Sequence, residues 1–528
     1  MATEMKRVPS PDGYERKVYP PETPTAARVS TEEAGGPPPR TKIAVFAAHG
    51  MGQQIPFQTM DDIASGLLKV AKVADPKRKA EIRTSTVKLQ SGSLQRIELD
   101  VDDVHGQPAE IHVYEGYWAP LTEGKLSARD VITFLRSGIW NGILKAGDPF
   151  RRWLFGGMKE PARTPGTTWW LVVFLLFLLS LLLFNAVIGA VALGRYVKLS
   201  MGHASQWPSD TLLPAITTVI SWFCIAAAVY GLVLFLTMRA KRTLNPGKNK
   251  AWVTWNGVLW LLFFVLVFLT IAAAVAITAL IVWERVSPAG FKDEVGLWPT
   301  VDSKWWPIIW VGLFAITMIV RRFVIEYVGD VAAYVASHKL DRFFEIRQKI
   351  RQCVEDVATA VYSAKKSESD SSPLYERIGI IGHSLGSVVV YDVLNRLLNE
   401  DELNSRKLKV ADRTTALVTF GSPLDKVAYL FALQGHKTTD TREALAASVQ
   451  PLIQNYQLFR SKLKWVNVRA PHDIFAGKLD FYDDTSDSNY QKGMEVQDEV
   501  DENAVLPLVA HTEYWTGTKI YSELYNRL

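Results

Sequence analysis

Arg377-Ile-Gly-Ile-Ile-Gly-His-Ser-Leu-Gly386 holds an apolar strand, a tight turn and the start of a helix within one short stretch. The run Ser387-Val-Val-Val-Tyr-Asp-Val-Leu-Asn-Arg-Leu-Leu398 carries the helix on. The turn spells Gly382-His383-Ser384-Leu385-Gly386, a G-x-S-x-G pattern. Chance would place that pentapeptide in about one in six chains of this length, so the letters alone decide little. The context decides more, because strand, turn and helix follow one another as a nucleophile elbow requires. The flanking Gly382 and Gly386 have a steric reason: side chains there would meet the neighbouring strand and helix around a strained serine.

Outward from this stretch the chain changes character. Its 528 residues are 48% hydrophobic and 21% charged, too many for one ordinary domain and too apolar for a disordered chain. The apolar residues concentrate in four segments, about Trp169–Leu193, Leu212–Met238, Trp252–Trp283 and Trp305–Val320. About 20 residues cross a bilayer, and the first three carry no charge, so they are expected to span. The fourth is short and ends at Arg321-Arg322. Tryptophans at the ends, among them Trp169, Trp170, Trp252, Trp283, Trp305 and Trp306, suit the headgroup region. The link after the second segment holds Arg239, Lys241, Arg242, Lys248 and Lys250 with no acid, which puts it in the cytoplasm by the positive-inside rule. An integral, four-span membrane protein with both termini and both soluble flanks cytoplasmic is therefore expected.

Net charge is +5, with no basic stripe interleaved with aromatics, so nucleic acid is not an expected partner. Two cysteines, Cys224 and Cys353, provide neither a disulfide framework nor a thiolate metal cluster; no metal and no cofactor is expected. Residues 1–40 are polar and rich in proline, lack the apolar core of a signal peptide, and are expected to form a disordered tail.

Of the flanks, residues 41–160 begin with the buried strand Lys42–Ala48, which runs into His49-Gly50-Met51-Gly52. A helix near Met60–Val73 and strands near Gln95–Val101 and Glu110–Trp118 follow. Residues 161–322 form the membrane block, and residues 323–528 open with a long amphipathic helix, about Phe323–Ala364. After the elbow, Ala416–Pro423 and Trp465–Arg469 read as further parallel strands, and Met494–Val500 as a last one.

In these features the sequence resembles the α/β-hydrolase superfamily, and within it the lipase-like serine hydrolases. The resemblance covers Lys42 to about Trp118 and Arg377 to Leu528, and implies an α/β fold with a mostly parallel central sheet, interrupted here by a four-helix transmembrane insertion. It implies Ser384 as nucleophile, with acid and histidine following in that chain order. A serine hydroxyl needs a histidine to take its proton, and the histidine needs a carboxylate to fix its tautomer.

His511 in Ala510-His-Thr-Glu-Tyr-Trp515 lies last in the chain and fits the base. His472 precedes the preferred acid, and His383 inside the elbow would point away from the hydroxyl. For the acid, Asp473 follows the strand Trp465–Arg469 at its C-terminal end; Asp425, one strand earlier, is the alternative. Asp480, Asp483 and Asp484 read as surface charges. Leu385 offers the first oxyanion N–H, and the His49–Gly52 turn, at Gly50 or Met51, the second.

The expected activity is cleavage of an ester of a membrane lipid or acylated substrate through a Ser-His-Asp triad and an acyl-enzyme. The expected partners are the lipid bilayer and a lipid-like ester. Alternatives are an inactive hydrolase-fold scaffold, or a transporter or channel with a regulatory soluble domain; the near absence of ionisable residues in the spans counts against the last. Parity supports the short fourth span. The oxyanion strand precedes the membrane block and the triad follows it, so one site forms only if both emerge on the same side.

Overall fold

In the computed structural model the described residues are 40–52, 54–74, 82–89, 92–103, 106–123, 125–144, 150–154, 157–162, 168–200, 212–241, 250–295, 318, 321–322, 325–335, 341–367, 369–430, 463–479, 496–504 and 509–528, with the pairs 8–9 and 15–16. Met1–Arg40 and Thr41–Leu528 are separate units. In the first, Val8–Pro9 pairs antiparallel with Glu15–Arg16; the remainder of the expected tail, save Arg40, lies outside the described residues.

The second unit is an α/β protein built on an eight-stranded, mostly parallel sheet. Its strands are β1 (Thr41–Ala48), β2 (Ile82–Leu89), β3 (Gly92–Asp102), β4 (Pro108–Gly116), β5 (Arg377–His383), β6 (Thr414–Phe420), β7 (Lys464–Arg469) and β8 (Gln497–Val500). They lie in the order β8-β7-β6-β5-β1-β4-β3-β2. Only β3 runs against its neighbours. The elbow strand β5 sits beside β1, with Ala48 level with Gly382. Two pieces of chain separated by more than 250 residues thus meet at the centre of one sheet.

The alternation of a strand explains the two layers. Ala44, Phe46 and Ala48 of β1 pack on one face, while Ile43, Val45 and Ala47 pack on the other. The first face is covered by α7 (Asp341–Ser363) and α8 (Leu385–Leu403), through Ile350, Val354, Val388 and Val389. The second is covered by α1 (Gln58–Ala74) and the C-terminal helix α12 (Lys519–Tyr525), through Ile63, Leu67, Tyr521 and Leu524. Each such side chain removed from water contributes about 1.5–3 kcal/mol. A buried polar knot ties the helices on the first face together. Asp392 of α8 accepts from Arg347 of α7 at 3.0 Å and from the Tyr334 hydroxyl, in the helical segment 325–335, at 2.8 Å.

Between the two halves of the sheet lie α2 (Ala128–Leu144), α3 (Thr168–Ser200), α4 (Leu212–Lys241), α5 (Lys250–Val286) and α6 (Pro288–Val295). Two helical stretches among the described residues, Pro214–Ala240 and Gly257–Val286, are long and apolar enough to cross a membrane; Leu171–Val187 is a shorter apolar stretch. Large apolar side chains stand exposed along α4 and α5, including Trp222, Leu232, Phe235, Leu261, Phe268 and Val275. Phe174 and Phe177 of α3 cluster with Tyr230 of α4 and Phe263 of α5. Phe184, Leu212, Ile277 and Leu280 form a second cluster, which Phe291 and Val295 of α6 join. Hence α3 and α5 run together and α4 runs back between their ends. The expected fourth span, apart from Met318, lies outside the described residues.

Candidate active site

The turn after β5 holds Ser384 at φ 51 and ψ −124, a backbone conformation that a non-glycine residue adopts only under strain. Neighbours over-determine it. Its N–H donates to the Phe420 carbonyl at 3.0 Å, and its carbonyl accepts from the Ser387 hydroxyl at 2.5 Å. A side chain at Gly386 would put its Cβ 2.3 Å from the carbonyl oxygens of Ala48 and His49, and one at Gly382 would lie 2.7 Å from the Ser387 backbone. Glycine is obligatory at both positions of the turn.

Ser384 Oγ lies 2.8 Å from Nε2 of His511, and His511 Nδ1 lies 2.9 Å from Asp473 Oδ2. The three residues come from the elbow, the loop after β7 and α11 (Ala510–Glu513), and all are buried. Burial alone would raise the Asp473 carboxyl. The charge and hydrogen bond of His511, the Phe475 N–H at 2.8 Å and the Tyr514 hydroxyl at 2.8 Å overcome it and bring the group down to about 2. An anion is thereby fixed beside Nδ1, which leaves Nε2 to accept from the serine hydroxyl.

Asp425, the alternative acid, stands elsewhere. It is fully buried at the start of α10 (Leu424–Leu430), the helix after the short α9 (Val410–Arg413), 3.5 Å from the ammonium of Lys426, and pressed against Gly477. The structure brings Asp473 to His511, not Asp425. Asp480, Asp483 and Asp484 lie outside the described residues.

Two further side chains support the arrangement. Tyr514, one helical turn beyond His511, takes the Ala470 N–H at 2.8 Å while donating to Asp473, so it braces the acid loop; its spacing from His511 was the one available signal. His383 Nε2 donates to the His511 carbonyl at 2.9 Å and its ring stacks on Phe420. Burial, then the neighbouring His511, lowers His383 to about 3, which keeps the ring neutral.

The turn after β1 faces the same serine. A Cβ on Gly50 would lie 3.2 Å from Ser384 Cβ, so the Gly50 backbone passes close beside that side chain. His49 is neutral, lowered to about 4 by burial against a partly offsetting bond to Gly50. Its Nε2 accepts the Trp118 N–H at 3.0 Å, and Nδ1 therefore donates to the Gly50 carbonyl at 2.8 Å. The Gly52 N–H is committed to Asp330 Oδ2 at 2.7 Å. Gly50 and Met51 thus remain as the donors this turn can present, alongside Leu385 at the start of α8.

Glu98 of β3 and Glu110 and His112 of β4 form a separate cluster. Arg96 holds Glu98 at 2.6 Å, and Glu110 and the Tyr375 hydroxyl hold the two ring nitrogens of His112, so the cluster is a closed hydrogen-bonded network.

No family model, no curated protein and no solved structure matches this chain. The site must be interpreted from its own geometry.

Proposed function

We propose that this chain is a membrane-embedded serine hydrolase of the α/β-hydrolase type, cleaving an ester of a membrane lipid or lipid-like acylated substrate. The observation that carries the reading is the hydrogen-bonded series Ser384–His511–Asp473 assembled on a strained G-x-S-x-G turn.

In the reaction, Ser384 Oγ attacks the ester carbonyl while its proton passes to His511 Nε2. The N–H groups of Leu385 and of Gly50 or Met51 stabilise the oxyanion. Collapse of the tetrahedral intermediate expels the alcohol, which leaves with the proton from His511, and an acyl-serine remains. Water, deprotonated by the same Nε2, then releases the carboxylic acid and restores the serine. Asp473 holds the imidazole orientation and stabilises its cation; it does not itself take the proton.

The bilayer enters the reading through the exposed apolar surfaces of α4 and α5. Four spans with cytoplasmic flanks account for the chain path. α6 packs at the Phe184–Leu280 end of the bundle, while Asp330 bonds Gly52 in the turn after β1. From Trp260 to Leu280 along α5 is about 30 Å at 1.5 Å per residue, the thickness of a hydrocarbon core.

The deciding test is a fluorophosphonate probe on the full-length protein in membranes. Labelling is expected at Ser384 and is lost in Ser384→Ala; labelling that persists in that variant overturns the reading.

A further inference from the structure

Between the His49–Gly52 turn and the segment that follows the fourth expected span lies a cavity of about 580 Å³. Gly52, Thr122 and Asp330 form its polar wall, and Leu126, Met318 and Ile325 its apolar one. Its volume falls in the range of about 300–1,000 Å³ that small-molecule sites occupy.

Position relates the cavity to the nucleophile. Gly52 is two residues beyond Gly50, whose backbone lies against Ser384, and two residues reach at most about 7 Å. The polar wall therefore begins within about 10 Å of the serine. Ser384 is only 1% exposed, so an ester has to approach it through internal space rather than from open water. Toward its other end the cavity is walled by Met318, Arg321 and Arg322, on the chain just leaving the fourth expected span.

Polarity narrows the occupant. Glu123, Glu326 and Asp330 line the space against two arginines, and Arg322 is already paired with Glu326 at 2.7 Å. An acidic headgroup would meet surplus carboxylate here, whereas a neutral ester would find the apolar walls of Leu126, Met318 and Ile325 for its chain. We infer that the cavity is a substrate subsite that takes the acyl-bearing glycerol portion of a neutral lipid ester, in preference to an acidic phospholipid. The inference rests on the hydrolase reading and specifies its substrate class.

The test uses full-length protein in nanodiscs, with Ile325→Trp and Ala119→Phe each narrowing the cavity. A long-chain acylglycerol, a phosphatidylglycerol of the same chain length and p-nitrophenyl acetate are compared as substrates, with fluorophosphonate labelling of Ser384 as a check on the folded site. The wild-type protein is expected to favour the acylglycerol by tenfold or more in kcat/KM. Each variant is expected to lower the ratio of long-chain to short-chain kcat/KM at least tenfold, chiefly through KM. An unchanged ratio in a variant that still labels, or a preference for phosphatidylglycerol, overturns the inference while leaving the hydrolase reading intact. Absence of labelling in the wild-type protein overturns the hydrolase reading instead. A diazirine-bearing monoacylglycerol adds a readout independent of turnover: crosslinks to the peptides holding Leu126 and Ile325 support the site, and crosslinks confined to α4 and α5 refute it.

Discussion

The indole N–H of Trp260, ten residues into α5, donates to Nδ1 of His472 across 3.1 Å, and His472 is the residue before Asp473. The same loop is gripped a second time. Phe475 packs edge-on against Phe174 of α3 at 5.3 Å and on its other side meets the His511 ring at 4.8 Å. Val509, just before the His511 helix, packs on Leu259 of α5. The apolar bundle therefore holds the loops that present both Asp473 and His511. Replacing Trp260 by Phe keeps most of the ring and removes one hydrogen bond of about 1 kcal/mol, so kcat should fall about five- to tenfold with KM little changed. The check is a double-mutant cycle with His472→Phe: if the bond is the link, the double variant is no slower than either single one. Fully additive losses would show that the contact does not position Asp473.

The two buried aspartates should separate cleanly. Asp473→Asn leaves the loop bonds from Phe475 and Tyr514 an acceptor but fails to fix the His511 tautomer, and kcat should drop about 10⁴-fold. Asp425→Asn removes the carboxylate beside the buried Lys426, an uncompensated charge that costs about 3 kcal/mol or more. Its effect should appear in thermal unfolding, with kcat of the folded fraction largely kept. The reverse pattern would transfer the catalytic role to Asp425.

At Gly386 the prediction concerns folding. An alanine Cβ would stand 2.3 Å from two backbone oxygens of β1 and its following turn, atoms that cannot rotate away. Gly386→Ala should therefore cost about 3 kcal/mol or more, or shift the Gly50–Met51 donors off the serine. Normal labelling and an unchanged melting temperature would contradict the packing described here.

The contrast between Gly386 and Trp260 shows what a sequence carries. The elbow is legible because its constraints are local: strand, strained serine and obligatory glycines fall within ten residues. Asp473 was expected because the ends of strands collect chemistry, and His511 because of the resemblance; the structure brings the two side chains together. The strand Ile82–Leu89 went unrecognised, since as a sheet edge paired only with β3 its Arg-Thr-Ser-Thr run shows little apolar alternation. The Asp330–Gly52 and Trp260–His472 bonds join residues 278 and 212 positions apart, and no local pattern announces such a partner. The apolar runs of α3, α4 and α5 were plain; their contacts with the loops that hold Asp473 and His511 were not.

A pH measurement addresses the sheet end near the same turn. Glu115, at the C-terminal end of β4, accepts the Phe57 N–H at 3.1 Å where α1 begins. Burial raises its carboxyl from 4.5 to about 7, against the opposing bonds from Thr59 and Phe57. A group raised on folding stabilises the fold in full below its unfolded value and loses that contribution as pH rises through its folded one. Wild-type stability should thus decline between about pH 4.5 and 7 by up to about 3 kcal/mol from this residue, at 1.36 kcal/mol per pH unit. Glu115→Gln keeps a carbonyl acceptor for Phe57 and cannot ionise. The variant should match the wild-type protein near pH 4.5 and exceed it at pH 8 in thermal unfolding of the detergent-solubilised protein. Asp330 and Glu355, also raised by burial, titrate alike in both proteins and cancel in the difference. A gap between the two melting temperatures that stays constant from pH 4.5 to 8 would mean that Glu115 is already ionised in the folded protein across that range.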